Sequence, residues 1–470
     1  MKTLLVAINA KNVHKALAPW CLKAYCEVRG LSGISVLETN INDRLIDTVG
    51  KIYNAKPDIV GFGLYIWNID YTLKVAEALR RLLPHLIIIV GGPEINSNSA
   101  HQYPYADHII QGVGEAPLYK LLKSIPGTAA SIDSEMMSPT TITGMQSRSL
   151  QGRASPYTAA YFDSFGTDQI PSINNRLVYY ESSRGCPYAC SYCLSSVAQG
   201  IEYKPIRQVK DELSALVERG ATTIKFVDRT FNSDTTHANA ILEHILSLDT
   251  DCTFHLEIVA DRLGPSTLDL IARMPRGRIQ FEVGIQSTHP PTLKAINRRQ
   301  NSGTLLERVA HLISIGNSHV HVDLIAGLPL ESLQSFRIGF DRTMAIRPHR
   351  MQLGFLKILK STRLAKETAK YGITFCPHAP YEVLSTSTMS FDDILRLKDL
   401  EGCLNRFYNS GHFDDAMTHG AALFNGSYFD FLDALAIYCQ SNDYGSYRIS
   451  LPNATRLLED FLKTANPKSN

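Results

Sequence analysis

The stretch Arg184-Gly-Cys186-Pro-Tyr-Ala-Cys190-Ser-Tyr-Cys193-Leu194 follows the apolar run Leu177-Val-Tyr-Tyr180, which has the pattern of a buried strand. Three thiolates can hold three irons of a cubane and leave the fourth iron open, whereas an electron-carrying [4Fe–4S] cluster usually takes four cysteines. A zinc knuckle is the alternative, but zinc usually takes a fourth Cys or His from a second pair. No His lies between Ile173 and Thr236, so the stretch favours a cluster with one open iron.

The spacing C-x3-C-x2-C, with Tyr192 directly before the last cysteine, resembles the signature of the radical S-adenosylmethionine (SAM) superfamily. The resemblance implies that Cys186, Cys190 and Cys193 ligate the cluster and that Tyr192 lies against SAM. It further implies that SAM binds the open iron through its amino and carboxylate groups. One electron from the cluster then cleaves the sulfonium to a 5′-deoxyadenosyl radical.

The composition is that of an ordinary soluble globular protein of two to three domains, with 470 residues, 44% hydrophobic content and a net charge of +2. This charge balance gives no indication of a nucleic-acid or membrane partner. Nine cysteines fit a reducing compartment better than a disulfide scaffold. The apolar run at the N-terminus is too short for a signal peptide, so we expect a cytoplasmic protein.

Residues 1–126 alternate strand and helix patterns, which predicts a Rossmann-like, flavodoxin-like domain with a parallel sheet. Glycine-rich turns end several of its predicted strands, where such sheets bind ligands. These turns and the first loop resemble the cobalamin-binding domain that precedes many radical SAM domains. The resemblance implies a cobalamin site formed by Asn12, His14, Gly63, Leu64, Tyr65, Gly91, Gly92, Glu94, Gly112, Gly114 and Glu115.

The sequence lacks the Asp-x-His-x-x-Gly motif that supplies a lower axial histidine in some B12 enzymes. Cobalamin is therefore expected to bind without a protein histidine on cobalt. A Rossmann-like domain that kept the scaffold and lost the cofactor is the alternative, because a fold alone does not carry function.

Residues 127–172 are rich in Ser, Thr and Gly and are predicted to form a linker. Six strand patterns within residues 173–365 then predict a partial (β/α)6 barrel, the fold that the resemblance also implies, with its reactive residues at the strand ends. They are Leu177–Tyr180, Thr223–Val227, Thr253–Val259, Gln280–Ile285, His319–Ile325 and Met351–Leu356. Residues 366–470 carry amphipathic helical patterns and are expected to form a helical domain that caps the barrel.

Polar residues at successive strand ends follow the order of SAM contacts in the resembled family. Glu257 is the candidate for the amino or ribose end of SAM, Gln286 for the ribose, and Arg298 for the carboxylate, since a guanidinium matches a carboxylate. Asp323, in the pattern Asp-x-x-x-Gly-x-Pro-x-Glu, is expected to face SAM. Each residue alone also has an ordinary structural explanation, because strand ends often carry polar groups.

The stretch Asp228-Arg229-Thr-Phe-Asn232 also resembles a subgroup with a C-terminal domain of unassigned function. Asp228, Arg229 and Asn232 are candidates for substrate binding. The structural alternative is an Asp/Arg pair with a helix N-cap.

Together these resemblances imply a cobalamin-dependent radical SAM enzyme that methylates, or otherwise rearranges, a small-molecule natural-product or cofactor precursor. An external donor such as flavodoxin or ferredoxin would supply electrons. Transfer of a 3-amino-3-carboxypropyl group to a soft acceptor such as arsenic is one alternative, and a cobalamin or redox sensor without catalysis is another. A tRNA methylthiotransferase is a weaker alternative, because the chain has neither extra N-terminal cysteine ligands nor a basic appendage.

Overall fold

The computed structural model describes residues 1–95, 102–125, 140–143, 150, 153–166, 172–197, 200–442 and 449–465. Much of the segment predicted as a linker, residues 127–172, lies outside these ranges. The chain divides into two compact units. The first comprises Met1–Pro187 with Ala198–His255, and the second comprises Tyr188–Val197 with Leu256–Asn470.

The first unit begins with a parallel α/β sheet. Its elements are β1 Thr3–Asn9, β2 His14–Lys15, α1 Ala18–Glu27, β3 Ile34–Asn40, α2 Leu45–Ala55, β4 Ile59–Gly63, α3 Ile69–Leu82, β5 Ile87–Gly91, β6 His108–Gln111, α4 Glu115–Ser124, β7 Thr140–Thr143 and α5 Ala159–Asp163. The described strands of this sheet are ordered β3-β1-β4-β5-β6-β7. The predicted flavodoxin-like arrangement is therefore confirmed.

Apolar strands bury this sheet on both faces, as expected when helices cover a parallel sheet. Leu5, Ile59, Ile89 and Ile110 lie in one core cluster with residues of α4. In α2 the apolar residues Val49 and Ile52 recur at helical spacing and are buried. The carboxyl ends of the strands consequently converge on one edge.

Strand β7 differs from the linker predicted for residues 127–172. Its residues pair in parallel register with β6, from His108 with Thr140 to Gln111 with Thr143. The run Thr140-Thr-Ile-Thr143 is short and β-branched, and β-branched residues favour strands. The neighbouring residues are rich in Ser and Thr, so the composition of the segment did not indicate a strand.

The first unit also contains the beginning of a second parallel series. Its elements are β8 Leu177–Tyr180, β9 Ser183–Gly185, β10 Ile201–Tyr203, α6 Ile206–Glu218, β11 Thr223–Phe226, α7 Thr235–Ser247 and the first half of β12 Thr253–Ile258. Strands β2, β8, β11 and β12 are parallel neighbours in that order. Strands β9 and β10 form a separate antiparallel pair. The boundary between the two units falls within β12, after His255.

The second unit continues this series and then becomes mainly helical. Its elements are α8 Pro265–Ala272, β13 Ile279–Gln286, α9 Pro290–Ala295, α10 Ser302–Ile315, β14 His319–Ala326, α11 Leu333–Met344, β15 Arg350–Phe355, α12 Arg363–Lys366, β16 Thr374–Phe375, β17 Val383–Ser385, α13 Phe391–Cys403, α14 Asp414–Leu423, α15 Tyr428–Ser441 and α16 Leu451–Ala465. Strands β13, β14 and β15 are parallel neighbours. All six predicted barrel strands and the helical C-terminal region are thus confirmed.

One helix in the predicted helical region, residues 366–470, changes its geometry before it ends. α13 is α-helical up to Cys403 and continues as a π-helical segment over Leu404–Tyr408. Among the described residues, none of the helices combines the length and the apolar composition that a membrane crossing requires.

Candidate functional site

The cysteine loop, residues 182–194, carries three free thiols, Cys186, Cys190 and Cys193. Cys186 directly follows β9 in the first unit and is half-buried, with its Sγ 3.7 Å from Thr230 Oγ1. Cys190 and Cys193 belong to the second unit, and Cys190 is buried. In the described part of the chain, no group of three or more His, Cys, Asp or Glu side chains is close enough together to hold a metal ion. The fit to an iron–sulfur cubane therefore rests on the type and number of the donors, three free thiols on one loop, and not on the distances between them.

The start of the cysteine loop is held by Asp228. The backbone N–H of Ser182 donates to Asp228 Oδ1 at 2.8 Å, and the Ser183 hydroxyl donates to Oδ2 at 2.9 Å. The Ser182 hydroxyl also donates to Oδ2. Burial raises the pKa of Asp228 to about 6, against the lowering effect of these hydrogen bonds. Among the three residues predicted to contact substrate, Asp228 and Asn232 are buried and Arg229 is exposed.

Arg184, at the beginning of the same loop, lies in a cluster of opposite charges. Its guanidinium donates to both oxygens of Glu181, at 2.8 and 2.6 Å, and to Glu115 at 2.8 Å. Arg153 also pairs with Glu115. Burial alone would raise the pKa of Glu115, but the charges of Arg184 and Arg153 outweigh burial and lower it. Glu115, predicted to contact cobalamin, thus has two arginine partners in the structure.

The middle of the cysteine loop contacts a turn after α9, within the second unit. The Asn297 side chain donates to the carbonyl oxygen of Ala189 at 2.8 Å, and the Ser191 N–H donates to the carbonyl oxygen of Ile296 at 2.9 Å. Between these two contacts, Nη1 of Arg298 lies 3.9 Å from the Sγ of Cys190. Asn297 has a φ of +54°, a left-handed conformation that Asn tolerates better than most residues.

Arg298 makes further contacts that fix its orientation. Its Nε donates to Gln300 Oε1 at 2.6 Å, and its Nη2 donates to the carbonyl oxygen of Gly284. Burial raises the pKa of the Tyr192 hydroxyl, although its contact with Arg298 acts in the opposite direction. The predicted SAM residues Tyr192 and Arg298 are therefore neighbours.

Gln286 ends β13 with a φ of +67°. Its Oε1 is buried and has no hydrogen-bond partner among the described residues. A Cβ at Gly284 would overlap the Gln286 amide, so a larger residue there would displace this side chain. Gly284 is the register neighbour of Asp323 in β14, so the predicted SAM residues Gln286 and Asp323 lie on adjacent strands. Asp323 also lies 3.4 Å from His321, and Glu257 is half-buried in β12.

Glu331 is a buried carboxylic acid that the sequence prediction left without a role. The Ser287 hydroxyl donates to Glu331 Oε1 at 2.5 Å, and Oε2 has no hydrogen-bond partner in the described ranges. Burial raises the pKa of Glu331 to about 8. The signal for this residue was present, since Glu331 ends the Asp-x-x-x-Gly-x-Pro-x-Glu pattern.

The C-terminal segment reaches the end of β14 within the second unit. Gly327, directly after β14, has a φ of +80°, and a Cβ there would lie 2.6 Å from Val383 and 3.5 Å from Ile394. The Thr388 hydroxyl donates to the carbonyl oxygen of Glu331 at 3.1 Å. Residues of β17 and the beginning of α13 therefore cover this strand end.

Two glycine-rich strand ends of the first sheet interlock. The N–H of Leu64 donates to the carbonyl oxygen of Gly91 at 2.7 Å, and the N–H of Glu94 donates to that of Leu64 at 3.2 Å. Gly92 has a φ of +110°, and a Cβ there would lie 2.6 Å from the Leu64 carbonyl oxygen. The predicted cobalamin positions after β4 and β5 thus form one continuous edge.

The remaining predicted cobalamin positions lie in the first loop and the last turn. Asn12 accepts a hydrogen bond from Asn40 at 2.6 Å, and His14 Nδ1 is 2.8 Å from the Tyr179 hydroxyl. Burial, and then the nearby positive charges, lower the pKa of His14. Gly112 has a φ of +85°, and Gly114 is the N-cap of α4. Of these positions, His14 is hydrogen-bonded to Tyr179 of β8.

A buried charge cluster next to the first loop was missed by the sequence prediction. Lys15 and Glu38 form an ion pair at 2.5 Å, and Arg176 contacts Glu38 at 3.3 Å, with all three side chains almost fully buried. The Trp20 indole N–H also donates to Glu38 at 3.3 Å. A polar cavity of about 120 Å³ adjoins Glu38 and Arg176. In the sequence, the charge cluster is indicated by Glu38, a glutamate near the end of the apolar strand β3.

Three protein families match separate parts of the chain. The B12 binding domain matches residues 3–122, the radical SAM superfamily matches residues 180–338, and a protein family of unknown function, DUF4080, matches residues 369–470. The cysteine loop and Arg298 thus fall within the radical SAM match, and the interlocked glycine turns fall within the B12 match.

Two curated relatives each match more than half of this chain. The cobalamin-dependent radical SAM methyltransferase TokK of Streptomyces tokunonensis is 23% identical over 70% of this chain and 51% of its own length. The 2-(S-pantetheinyl)-carbapenam-3-carboxylate methyltransferase of Streptantibioticus cattleyicolor is 23% identical over 62% and 46%. The chain spans about half the length of these relatives.

Two solved structures share the fold. The methyltransferase TsrM from Kitasatospora setae, with cobalamin and a [4Fe–4S] cluster bound, has a TM-score of 0.60 at 16% identity and covers 100% of both chains. The cobalamin-dependent radical enzyme OxsB has a TM-score of 0.66 at 13% identity, covering 98% of this chain and 75% of its own. At these identities the likeness establishes the fold alone.

Proposed function

We propose that this chain, which belongs to the cobalamin-dependent radical SAM enzymes, replaces a hydrogen on carbon of a small-molecule substrate with a methyl group. The observation that carries the proposal is a loop of three free thiols, Cys186, Cys190 and Cys193, in a chain that also matches the B12 binding domain. The curated relatives named as methyltransferases support the choice of methyl transfer over the alternatives.

In this proposal the three thiols hold a [4Fe–4S] cluster, and the carboxyl ends of β1, β4, β5 and β6 hold cobalamin. When bound, the cluster supplies the electron that cleaves SAM, and cobalamin carries the methyl group. The overall reaction consumes one substrate C–H, two SAM and two electrons. It yields the methylated substrate, 5′-deoxyadenosine, methionine and S-adenosylhomocysteine.

The residues of the chain bind and orient these groups. The buried Oε1 of Gln286 has no partner among the described residues, and a buried acceptor of this kind normally receives a hydrogen bond. A ribose hydroxyl of SAM supplies that donor in the proposal, with Tyr192, Glu257 and Asp323 completing the SAM site. Asp228 orients the start of the cysteine loop through Ser182 and Ser183.

The proposed substrate is a precursor of a natural product or of a cofactor, and an external protein such as flavodoxin or ferredoxin supplies the electrons. In this proposal the segment Val383–Ile394, which packs against the end of β14, influences which substrate enters. Loops at strand ends determine substrate choice in barrels of this type.

The test is anaerobic reconstitution with iron and sulfide, followed by dithionite and SAM, with nucleoside products separated by chromatography. We expect 5′-deoxyadenosine from the wild type even without substrate, and an absorption spectrum with cobalamin bands after cobalamin is added. Cys190→Ala should abolish 5′-deoxyadenosine formation. The matched control is Cys376→Ala, because Cys376 is a half-buried free thiol outside the loop.

Two results contradict the proposal in different ways. 5′-Methylthioadenosine as the product would indicate cleavage of another SAM carbon–sulfur bond and transfer of a 3-amino-3-carboxypropyl group. Equal product levels from wild type and Cys190→Ala would remove the basis for a cluster at this loop.

A further inference from the structure

We propose that Cys403 of α13 and Cys439 of α15 form a modification site, at which a hydroperoxide oxidises the two thiols to a reversible disulfide. Both cysteines lie in the C-terminal helical region, within the second unit. This modification requires neither a cluster nor cobalamin, so it stands apart from the proposed function.

Two polar contacts hold α13 and α15 side by side. The guanidinium of Arg396 donates to both carboxylate oxygens of Asp433 at 2.5 Å, and the Gln440 side chain donates to Asp399 at 2.5 Å. The partners follow one another in the same order along both helices, so the helices run in the same direction. The spacing between the two helices is therefore fixed on this face.

The two thiols meet at the end of this face. Cys403 lies one turn after Asp399, and Cys439 directly precedes Gln440. Both residues are buried, with 3% of each exposed, and a hydrogen bond joins the two thiols. Because the sulfurs are already in contact, a bond between them requires side-chain rotation and no rearrangement of the helices.

The surroundings make one thiol the nucleophile and the other its proton donor. The hydrogen bond from Cys403 lowers the pKa of Cys439, and the guanidinium of Arg406 acts in the same direction against burial. The same hydrogen bond, together with burial, raises the pKa of Cys403. The thiolate is the nucleophilic form of cysteine. Cys439 is therefore the thiol that attacks the oxidant, and Cys403 is the thiol that completes the disulfide.

The cation beside Cys439 comes from the segment in which α13 changes its geometry. The π-helical segment Leu404–Tyr408 begins directly after Cys403 and contains Arg406. π-Helical turns inside helices are frequently found at functional sites. Reactive cysteines typically lie next to such cations, whereas inert ones are buried in apolar surroundings.

The oxidation balances in two steps. The Cys439 thiolate attacks one oxygen of hydrogen peroxide, which gives a sulfenic acid and hydroxide. The Cys403 sulfur then displaces the hydroxyl group of the sulfenic acid, which forms the S–S bond. In sum, two thiols and one hydrogen peroxide yield one disulfide and two water molecules. The two electrons lost by the sulfurs reduce the O–O bond of the peroxide.

The disulfide would join the helix that packs against the end of β14 to a second helix. Ile394, in the first turn of α13, lies 3.5 Å from the position that a Cβ of Gly327 would occupy. A cross-link between α13 and α15 removes conformational freedom from the unfolded chain. We therefore expect the second unit to unfold at a higher temperature after oxidation.

The test is treatment of the reduced full chain with hydrogen peroxide, followed by denaturation in N-ethylmaleimide, digestion and mass spectrometry. We expect two peptides linked through Cys403 and Cys439, which dithiothreitol separates. The thermal midpoint should rise on oxidation and fall again on reduction. Cys252→Ser is the matched control, because it removes a buried thiol of the first unit and should leave the linked peptides and the rise in midpoint unchanged.

Single variants separate the roles of the residues. Cys403→Ser should let peroxide oxidise Cys439 to the sulfinic acid, because no thiol captures the sulfenic acid. Cys439→Ser should leave Cys403 reduced. Arg406→Gln should slow disulfide formation by about threefold for each unit by which the pKa of Cys439 rises, since the lost thiolate outweighs the gain in nucleophilicity. Arg342→Gln, at an exposed position of α11, should not slow it.

Oxidation of the half-buried Cys376 without any linked peptides would overturn the proposal, because it shows that peroxide acted and the pair did not respond. Linked peptides that appear only after the chain is unfolded would overturn it as well. Equal rates for the wild type and Arg406→Gln would contradict the role of Arg406 at Cys439. If Arg406→Gln does not fold, the two serine variants decide, and equal oxidation of their remaining thiols contradicts the assigned roles.

Discussion

The carboxylate of Glu115 accepts a hydrogen bond from the guanidinium of Arg184 at 2.8 Å, across 69 residues of sequence. Glu115 is the first residue of α4, after the last glycine turn of the first sheet, and Arg184 precedes Cys186 by two residues. One buried charge cluster therefore connects the cobalamin-type sheet to the beginning of the cysteine loop.

Glu115→Gln should destabilise the first unit, because it leaves Arg153 and Arg184 with one carboxylate fewer in a buried site. Breaking a buried ion pair costs about 3 kcal/mol. We expect a lower midpoint of the first thermal transition and faster loss of iron after reconstitution. Glu77→Gln is the control, since its pair with Arg81 is exposed and worth less than about 1 kcal/mol. Equal midpoints for the two variants would contradict this prediction.

Glu38→Gln should be the more damaging carboxylate substitution, because it leaves Lys15 and Arg176 buried without a counter-charge. The expected loss is about 4 kcal/mol. Adding Lys15→Met removes one buried charge that has lost its partner, so the double variant should recover part of the lost stability. A double-mutant cycle measures this coupling. Asp47→Asn, which breaks an exposed pair with Arg44, serves as the reference. A purely additive cycle would argue against the charge explanation.

Gly92→Ala should disrupt the interlocked turns, because its φ of +110° is unfavourable for alanine and the new Cβ would meet the Leu64 carbonyl oxygen. The left-handed conformation alone costs about 1–2 kcal/mol. Gly50→Ala is the matched control within α2, where nothing lies within 4 Å of an added Cβ. It should be neutral or stabilising by up to about 1 kcal/mol. Cobalamin retained after desalting, together with the thermal midpoint, should fall only for Gly92→Ala.

Glu331→Gln should change how stability depends on pH. The folded state holds the proton of Glu331 up to about pH 8, whereas an unfolded chain releases it near the ordinary value of 4.5. The wild type therefore loses stability as pH rises from about 4.5 to about 8, by up to about 5 kcal/mol. Glutamine does not titrate, so its stability relative to the wild type should rise across this window.

Unfolding midpoints measured between pH 5 and pH 9 test this expectation. Glu218→Gln is the control, because Glu218 is exposed on α6 and its substitution should not alter the pH profile. Parallel pH profiles for wild type and Glu331→Gln would show that the burial of Glu331 does not govern its proton.

Local patterns sufficed for the six barrel strands, whereas the roles of the motif residues stay predictions. The strand Leu177–Tyr180 has the predicted bounds, because a continuous apolar run before a turn defines it. The three cysteines and Gln286 also stand in short motifs whose chemistry is local.

Partners that lie far apart in sequence could not be predicted in this way. The Lys15–Glu38–Arg176 cluster joins three segments, and no periodicity links them. Asp228 was recognised as a polar residue at a strand end, but its bonds to Ser182 and Ser183 depend on the parallel pairing of β8 with β11. The contact of Arg298 with Cys190 likewise depends on a turn whose left-handed residue is an asparagine.

The pairing of His14–Lys15 with Leu177–Val178 has a consequence for how the protein can be divided and how it is made. A strand edge left without its neighbour is a template for aggregation. Removing the first domain would uncover β8 in this way, so the radical SAM part should not be obtainable as a well-behaved fragment. During synthesis, residues 14–15 are made long before β8, their partner, and pairings between such distant segments close slowly. If evolution replaced the first domain, the new domain would therefore have to supply a segment that pairs with β8 as residues 14–15 do.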